Sequence, residues 1–98
     1  MLKKSYSKTK KFCRVTFRVP PEFRAETAAL CGDFNNWDTE ARPMRLLKSG
    51  GFSATVSLSA DRSYRFRYFL DNGRWENDDA ADRYVANDYG SEDSVVEL

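Results

Sequence analysis

The chain has 98 residues, which gives room for one small domain with a modest core, and its aromatic content of 14% means that this core need not be thin. Its formal net charge of +1 does not indicate a partner attracted mainly by charge. It contains no histidine, which excludes every catalytic triad or relay that depends on an imidazole. Residues 1–11 are polar and rich in lysine, and we predict a flexible N-terminal segment there.

From residue 12 onward, apolar and polar residues alternate with the period of two that is typical of half-buried strands. The first predicted strand begins at Phe12 and ends before Pro20 and Pro21, because proline cannot donate to a ladder. A second short strand leads into Gly32. Further strands are predicted at residues 44–46, 52–58, 64–70, 74–77 and 95–98, with an irregular segment at 78–92. Six or seven strands without helical periodicity indicate an all-β fold, an immunoglobulin-like β-sandwich, over residues 12–98.

The sequence predicts neither a metal site nor a catalytic site. Cys13 and Cys31 fall in predicted strands, where we interpret them as buried apolar side chains that could pair only if their strands are neighbours. Two cysteines without histidine do not make a standard zinc site. A small filled sandwich also leaves little concave volume for a catalytic carboxylate pair. We therefore expect a non-enzymatic domain without a cofactor. The acidic cluster lacks the spacing of a calcium-binding loop, and we interpret it as a solvated acidic loop: Glu76, Asp78, Asp79 and Asp82.

The charges are distributed unevenly along the chain. Residues 1–24 hold eight Lys or Arg and one acid, whereas residues 76–98 hold eight acids and one Arg. A basic arm could contact nucleic acid or a membrane, but the acidic end offers a nearby counter-charge. We therefore expect the two ends to neutralise each other, with no membrane or nucleic-acid partner. No apolar run follows the first lysines and no stretch has transmembrane length, so we expect a cytoplasmic protein with reduced thiols.

The two tryptophans, Trp37 and Trp75, lie at predicted turns and outside the alternating core pattern. An exposed indole offers a flat surface to the apolar face of a pyranose ring, while Arg, Asn or Asp side chains bond the sugar hydroxyls. Arg67 lies on the outward side of its predicted strand, one hairpin before Trp75. Taken singly, each tryptophan fits equally well as a core anchor, which is common in such sandwiches.

The segments 32–37 (GDFNNW) and 66–75 (FRYFLDNGRW) together resemble carbohydrate-binding module family 48. That family includes the glycogen-binding domain of the AMP-activated protein kinase β subunit and the early-set N-terminal domains of isoamylases and branching enzymes. The resemblance runs from about Phe12 to Leu98 and implies an early-set sandwich. It also implies non-catalytic binding of α-1,4-linked glucan, as glycogen, starch or maltooligosaccharides. It allows a glucan-metabolising enzyme or a kinase-like protein as a further partner.

The resemblance also implies a set of site residues. In glycogen-binding members, two tryptophans stack on glucose units, and their positions match Trp37 and Trp75. A basic residue between them bonds hydroxyls; lysine is usual there, and this chain has Arg67, which keeps the charge and offers more donors. A hydroxyl residue and an amide near the last strand match Ser91 and Asp93. Asp93 in place of the amide loses a donor but still accepts from hydroxyls.

The resemblance also implies a role for Tyr89, which matches the bulky apolar residue that pushes into the ring of a curved glucan in family members.

Two alternative functions stay open at this point. One is an early-set domain that serves protein interaction or structure without binding sugar, for which both tryptophans would be packed inside. The other is nucleic-acid binding through the lysine-rich start.

Overall fold

A computed structural model describes residues 2–98; Met1, the first residue of the predicted N-terminal segment, lies outside the described residues. The nine strands in that range are β1 (Leu2–Tyr6), β2 (Phe12–Val19), β3 (Ala28–Gly32), β4 (Arg45–Leu46), β5 (Phe52–Ser59), β6 (Ser63–Leu70), β7 (Arg74–Glu76), β8 (Arg83–Ala86) and β9 (Glu92–Glu97). Two short 3-10 helices span Pro21–Phe23 and Asp33–Asn35. No helix within residues 2–98 is long and apolar enough to cross a membrane.

The strands form two antiparallel sheets. The four-stranded sheet has the order β1-β2-β5-β4, and the five-stranded sheet has the order β3-β6-β9-β8 with β7 added beside β6. All strand pairs are antiparallel. The predicted all-β, immunoglobulin-like early-set sandwich is therefore confirmed.

The core lies between β2 of one sheet and β6 of the other. Every second residue of β2 from Cys13 to Val19 is buried, as is every second residue of β6 from Tyr64 to Leu70. The rings of Phe17 and Phe66 meet edge to face with centroids 4.9 Å apart, an arrangement that aromatic pairs favour. The alternation in the sequence therefore predicts correctly which side chains of β2 and β6 point into the core.

The strand prediction needs three corrections. Residues 2–6, predicted as part of a flexible segment, form β1, which pairs with β2 in the register Leu2↔Phe17 to Tyr6↔Cys13. The segment predicted as irregular contains β8, and β9 begins at Glu92, before the predicted start at Val95. β1 and β8 are edge strands, and the polar residues that edges carry obscure the alternation on which the prediction depends.

The acidic loop also needs a correction. Asp78 is only 2% exposed, so it is not part of a solvated loop. Its carboxylate accepts hydrogen bonds from the Tyr68 hydroxyl at 2.8 Å and from the Ala80 amide at 2.8 Å. Its neighbour Asp79 is exposed, as predicted.

Both cysteines are fully buried and free. Cys13 lies on β2 and Cys31 on β3, which belong to different sheets, so the prediction that both occupy strands is confirmed. Burial, together with the nearby charge of Asp38, raises the pKa of the Cys31 thiol to about 11. A thiol that stays protonated at neutral pH is a poor nucleophile.

The two oppositely charged ends of the chain meet at Lys4. Its ammonium group donates to Asp82 Oδ2 at 2.6 Å and to the Glu97 carbonyl at 3.0 Å. The expected contact between the ends therefore exists at this edge of the sandwich. The lysines of the β1–β2 turn and the arginines of β2 are not part of it.

Acid is expected to destabilise the sandwich below about pH 4, through Asp71 and Asp82. Hydrogen bonds from the Thr27 and Glu26 amides lower the pKa of Asp71. Partial burial raises the pKa of Asp82, but the Glu97 amide and Lys4 outweigh it, so the net shift is downward. A carboxyl group whose pKa is lower in the folded state stabilises the fold above its unfolded pKa, and that stabilisation is lost as the pH falls through the folded value.

Thermal unfolding followed by circular dichroism between pH 7 and pH 3 checks this expectation. The double variant Asp71→Asn/Asp82→Asn should show a flatter profile than the native chain, because its amides do not titrate. Equal slopes in the two proteins would contradict the assignment.

Candidate functional site

A cleft of about 630 Å³ lies on the outer side of the five-stranded sheet. The turn after β3, strand β6, strand β7 and the loop between β8 and β9 supply its walls. The residues that line it are Asp33, Trp37, Arg65, Arg67, Trp75, Asn87, Asp88, Tyr89 and Asp93. The structure thus brings together five of the side chains predicted from the sequence: Trp37, Arg67, Trp75, Tyr89 and Asp93. The sixth, Ser91, stands beside the cleft, where its hydroxyl accepts a hydrogen bond from Arg67 Nη1 at 3.4 Å.

The turn that carries Trp37 is fixed by its own side chains. Asn35 donates from Nδ2 to the Leu30 carbonyl at 2.9 Å, and its Oδ1 accepts from the Gly32 amide at 3.1 Å. Asn36 and Trp37 then both adopt left-handed backbone conformations, with φ of 56° and 59°. A left-handed conformation is costly for a bulky residue such as tryptophan and is found where the surroundings enforce it. The turn therefore places the indole at the cleft at some cost in backbone energy.

Asp33 orients the Trp37 indole. Its Oδ1 accepts from Trp37 Nε1 at 3.1 Å, and its Oδ2 accepts from the Arg65 backbone amide at 2.9 Å. One carboxylate thus ties the indole to strand β6. Gly32 permits this close approach, because a Cβ there would lie 2.5 Å from the Arg65 carbonyl oxygen.

Trp75 forms a second aromatic wall. It pairs with Phe69 across β6 and β7, and the two rings lie with centroids 4.7 Å apart. Its ring centroid is 6.4 Å from that of Trp37, and the two ring planes meet at 58°. Trp75 is 38% exposed and Trp37 is partly exposed. The two indoles are therefore neighbours on one side of the molecule, and they are not parallel.

Arg67 lies beside the second indole. Its guanidinium carbon is 6.0 Å from the centroid of Trp75, at the outer limit of a cation–π contact. Its Nε is buried and has no hydrogen-bond partner within residues 2–98. A buried donor without a partner is uncommon in a folded protein, and here it adjoins the cleft.

Asn87 organises the loop between β8 and β9. Its Oδ1 accepts from the amides of Tyr89 at 2.9 Å and Ser91 at 3.1 Å, while its Nδ2 donates to Ser91 Oγ and to Asp93 Oδ1, both at 3.0 Å. The loop carries Tyr89 almost fully in solvent, 93% exposed. Asp93 is only 7% exposed, and its Oδ2 lies 3.9 Å from Arg65 Nη1. Most of the bonding capacity of Asp93 is therefore directed at protein groups.

Four residues of the cleft were not predicted from the sequence as site residues: Asp33, Arg65, Asn87 and Asp88. Arg65 had a usable signal, since it is two residues before Arg67 and so faces the same side of β6. Asp33 belongs to the segment that carried the resemblance. The role of Asn87 depends on a loop conformation that no spacing in the sequence specifies.

This arrangement suits an uncharged, polyhydroxylated ring. Two aromatic faces can contact C–H groups, carboxylates accept hydrogen bonds from hydroxyls, and guanidinium groups donate to them. In the part of the chain that the structure describes, no group of three or more Cys, Asp or Glu side chains is placed to hold a metal ion.

Comparison with known proteins agrees with this chemistry. Residues 9–89 match the family model for carbohydrate-binding module 48, the isoamylase N-terminal domain. The chain is also 35% identical, over 66 residues, to the 1,4-alpha-glucan branching enzyme GlgB of Aquifex aeolicus (strain VF5). That alignment covers 66% of this chain and 10% of the enzyme, so the chain spans only a small part of its relative's length. The chain therefore belongs to carbohydrate-binding module family 48, a family of non-catalytic carbohydrate-binding modules.

Proposed function

We propose that the chain binds α-1,4-linked glucan in this cleft, with successive glucose units stacked on Trp37 and Trp75. The observation that carries the proposal is the pair of adjacent indoles, whose centroids are 6.4 Å apart and whose planes are inclined at 58°. A chain of α-1,4-linked glucose curves, so successive rings present differently inclined faces. Two aromatic rings inclined to each other therefore suit such a chain better than two coplanar rings would.

The polar groups around the indoles favour an uncharged sugar as the ligand. The unpartnered Nε of Arg67 is a donor ready for a sugar hydroxyl beside Trp75. Three carboxylates and two guanidinium groups line the cleft, so its charges nearly balance and do not favour an anionic ligand. In this proposal the exposed ring of Tyr89, which also lines the cleft, contacts the curved glucan.

The exposure of the indoles also weighs against the alternative of an early-set domain without a sugar site. That alternative requires both tryptophans to be packed inside, whereas Trp75 is 38% exposed. A separate glucan-metabolising enzyme or a kinase-like protein remains a proposal for a further partner.

Titration with maltoheptaose and with β-cyclodextrin, followed by tryptophan fluorescence, tests the proposal. Each stacked ring contributes on the order of 1 kcal/mol beyond its buried area, so we expect a micromolar to millimolar Kd. A multivalent polymer such as glycogen should bind more tightly in a sedimentation assay. Cellohexaose, whose β-1,4 links give an extended chain, is the control. No response to millimolar maltoheptaose, or an equal response to cellohexaose, would overturn the proposal.

Replacing Asn87 with alanine is expected to weaken maltoheptaose binding by about tenfold. The change removes the hydrogen bonds that hold Tyr89 and Ser91 beside the cleft, so the ligand must order the loop when it binds. Asn87→Asp keeps the acceptor for both amides but replaces the bond to Asp93 Oδ1 with a contact between two carboxylates, so it should also lose affinity. Isothermal titration calorimetry measures both variants. An unchanged affinity in Asn87→Ala would show that the loop does not contribute to binding.

A further inference from the structure

The four-stranded sheet, on the opposite side from the sugar cleft, has an uncompensated positive charge. None of its strands, β1, β2, β4 and β5, contains an aspartate or glutamate. Its outward-facing residues include four basic side chains, and hydroxyl side chains lie between them. We define the cationic face by Lys3, Phe12, Arg14, Thr16, Arg18 and Arg45.

The register places these groups in regular rows. Along β2 the outward residues are two positions apart, so one of them occurs about every 7 Å in the order Arg18, Thr16, Arg14, Phe12. Across the sheet, Lys3 lies opposite Thr16, and Arg18 and Arg45 both lie opposite Ser53. Basic groups and hydroxyls therefore alternate on the outer surface of this sheet.

None of the basic groups of the cationic face forms an ion pair within residues 2–98. The ion pairs that residues 2–98 form involve four other cations, namely Lys4, Arg65, Arg74 and Arg83. Among the basic residues near the start of the described chain, only Lys4 is therefore paired with an acidic residue near its end. The cations of the cationic face remain available to an external anion.

An aromatic ring stands at the end of this face. Phe12 is 53% exposed and faces outward two residues from Arg14, next to the turn that contains Lys8, Lys10 and Lys11. An exposed ring within a basic surface is a platform on which an unpaired base can stack. Ser and Thr hydroxyls, like Arg and Lys, are common partners of phosphate oxygens.

We propose that the cationic face binds single-stranded nucleic acid without sequence preference. The four cations and the β1–β2 turn contact phosphates, the hydroxyls of β2 and β5 add hydrogen bonds, and Phe12 stacks on a base. An acidic protein is the alternative partner for these cations, and the competition experiment below distinguishes it from a single strand. Duplex nucleic acid offers no unpaired base to Phe12.

Fluorescence anisotropy of a labelled 20-residue oligothymidylate tests this proposal with the native chain. We expect a Kd between about 1 and 100 µM at physiological salt, and tighter binding at 50 mM salt. If about four phosphates are neutralised, the affinity should fall about 50-fold at 200 mM salt. No binding at 50 mM salt, or binding that is independent of salt, would overturn the proposal. Competition by polyglutamate as strong as that by unlabelled oligothymidylate would overturn it in favour of an acidic protein partner.

Two variants, each lacking two arginines, show which surface binds the oligonucleotide. Arg14→Ala/Arg18→Ala should lower the slope of log affinity against log salt by about 1.4, and Phe12→Ala should weaken binding by about tenfold. Arg62→Ala/Arg83→Ala removes two exposed arginines elsewhere and should leave most of the binding intact. Equal losses in the two arginine pairs would contradict the placement on this face.

The sugar site provides an independent check. Trp75→Ala should bind the oligonucleotide as the native chain does, since Trp75 belongs to the other sheet. Circular dichroism confirms folding of every variant. Loss of oligonucleotide binding in Trp75→Ala would transfer the activity to the cleft and refute the cationic face.

Discussion

Replacing Asp78 with alanine is expected to lower the free energy of unfolding by about 3 kcal/mol, although the sequence places this residue in a polar loop. The reason is that Asp78 holds the segment after β7 against the core. Its carboxylate accepts from the Tyr68 hydroxyl and the Ala80 amide, and its backbone amide donates to Ser94 Oγ at 3.0 Å. Its carbonyl oxygen accepts from the Tyr84 hydroxyl at 2.5 Å.

The largest contribution comes from Tyr68, which is fully buried at the centre of the sandwich. Burial, and then the charge of Asp78, raise the pKa of its phenol well above the ordinary value, so the hydroxyl remains a donor at neutral pH. Without the carboxylate, this donor and the Ala80 amide lose their acceptors, and a buried donor without an acceptor costs about 1–3 kcal/mol.

Urea unfolding followed by tryptophan fluorescence measures the effect. Asp78→Asn retains one oxygen acceptor in the same volume and should lie between the native chain and Asp78→Ala. Asp79→Ala removes an exposed neighbouring carboxylate and should change the stability by less than about 0.5 kcal/mol. Equal stabilities of Asp78→Ala and Asp79→Ala would show that the buried hydrogen bonds contribute nothing.

The contrast between Asp78 and Asp79 illustrates what the sequence can predict about the fold. Alternation identified β2, β5 and β6 because each has one face in the core and one in solvent. The edge strands β1 and β8 have too few buried residues to show this pattern. Whether an aspartate in a polar loop turns inward depends on a buried donor from a distant strand, here Tyr68, and spacing along the chain does not specify such a contact.

The candidate site likewise contains some residues that could be predicted from the sequence and others that could not. Trp37, Arg67 and Trp75 were predicted from the two segments that carry the family resemblance. Asp33 and Asn87, which hold the predicted residues in place, were missed. Their roles are hydrogen bonds to the backbone of loops, so they depend on loop conformations. The sequence therefore indicated the groups that are proposed to face the sugar more readily than those that orient them.

Replacing Trp75 with alanine is expected to weaken maltoheptaose binding by at least about 30-fold. The indole supplies one of the two proposed platforms, and its loss removes both the stacking and the buried apolar area, about 2 kcal/mol together. It also removes the aromatic face beside the Arg67 guanidinium. Isothermal titration calorimetry is the suitable measurement, because the variant lacks one of the two fluorophores.

Two further variants separate stacking from structure. Trp75→Phe keeps a flat ring against Phe69 and should recover part of the affinity, whereas Trp75→Leu keeps apolar volume without a ring and should not. Trp37→Ala should lose affinity to a similar degree, because it removes the other proposed aromatic platform. If Trp75→Leu binds as well as Trp75→Phe, the ring face is not what the sugar contacts. The two inclined indoles would then have no role in the selection of a curved glucan.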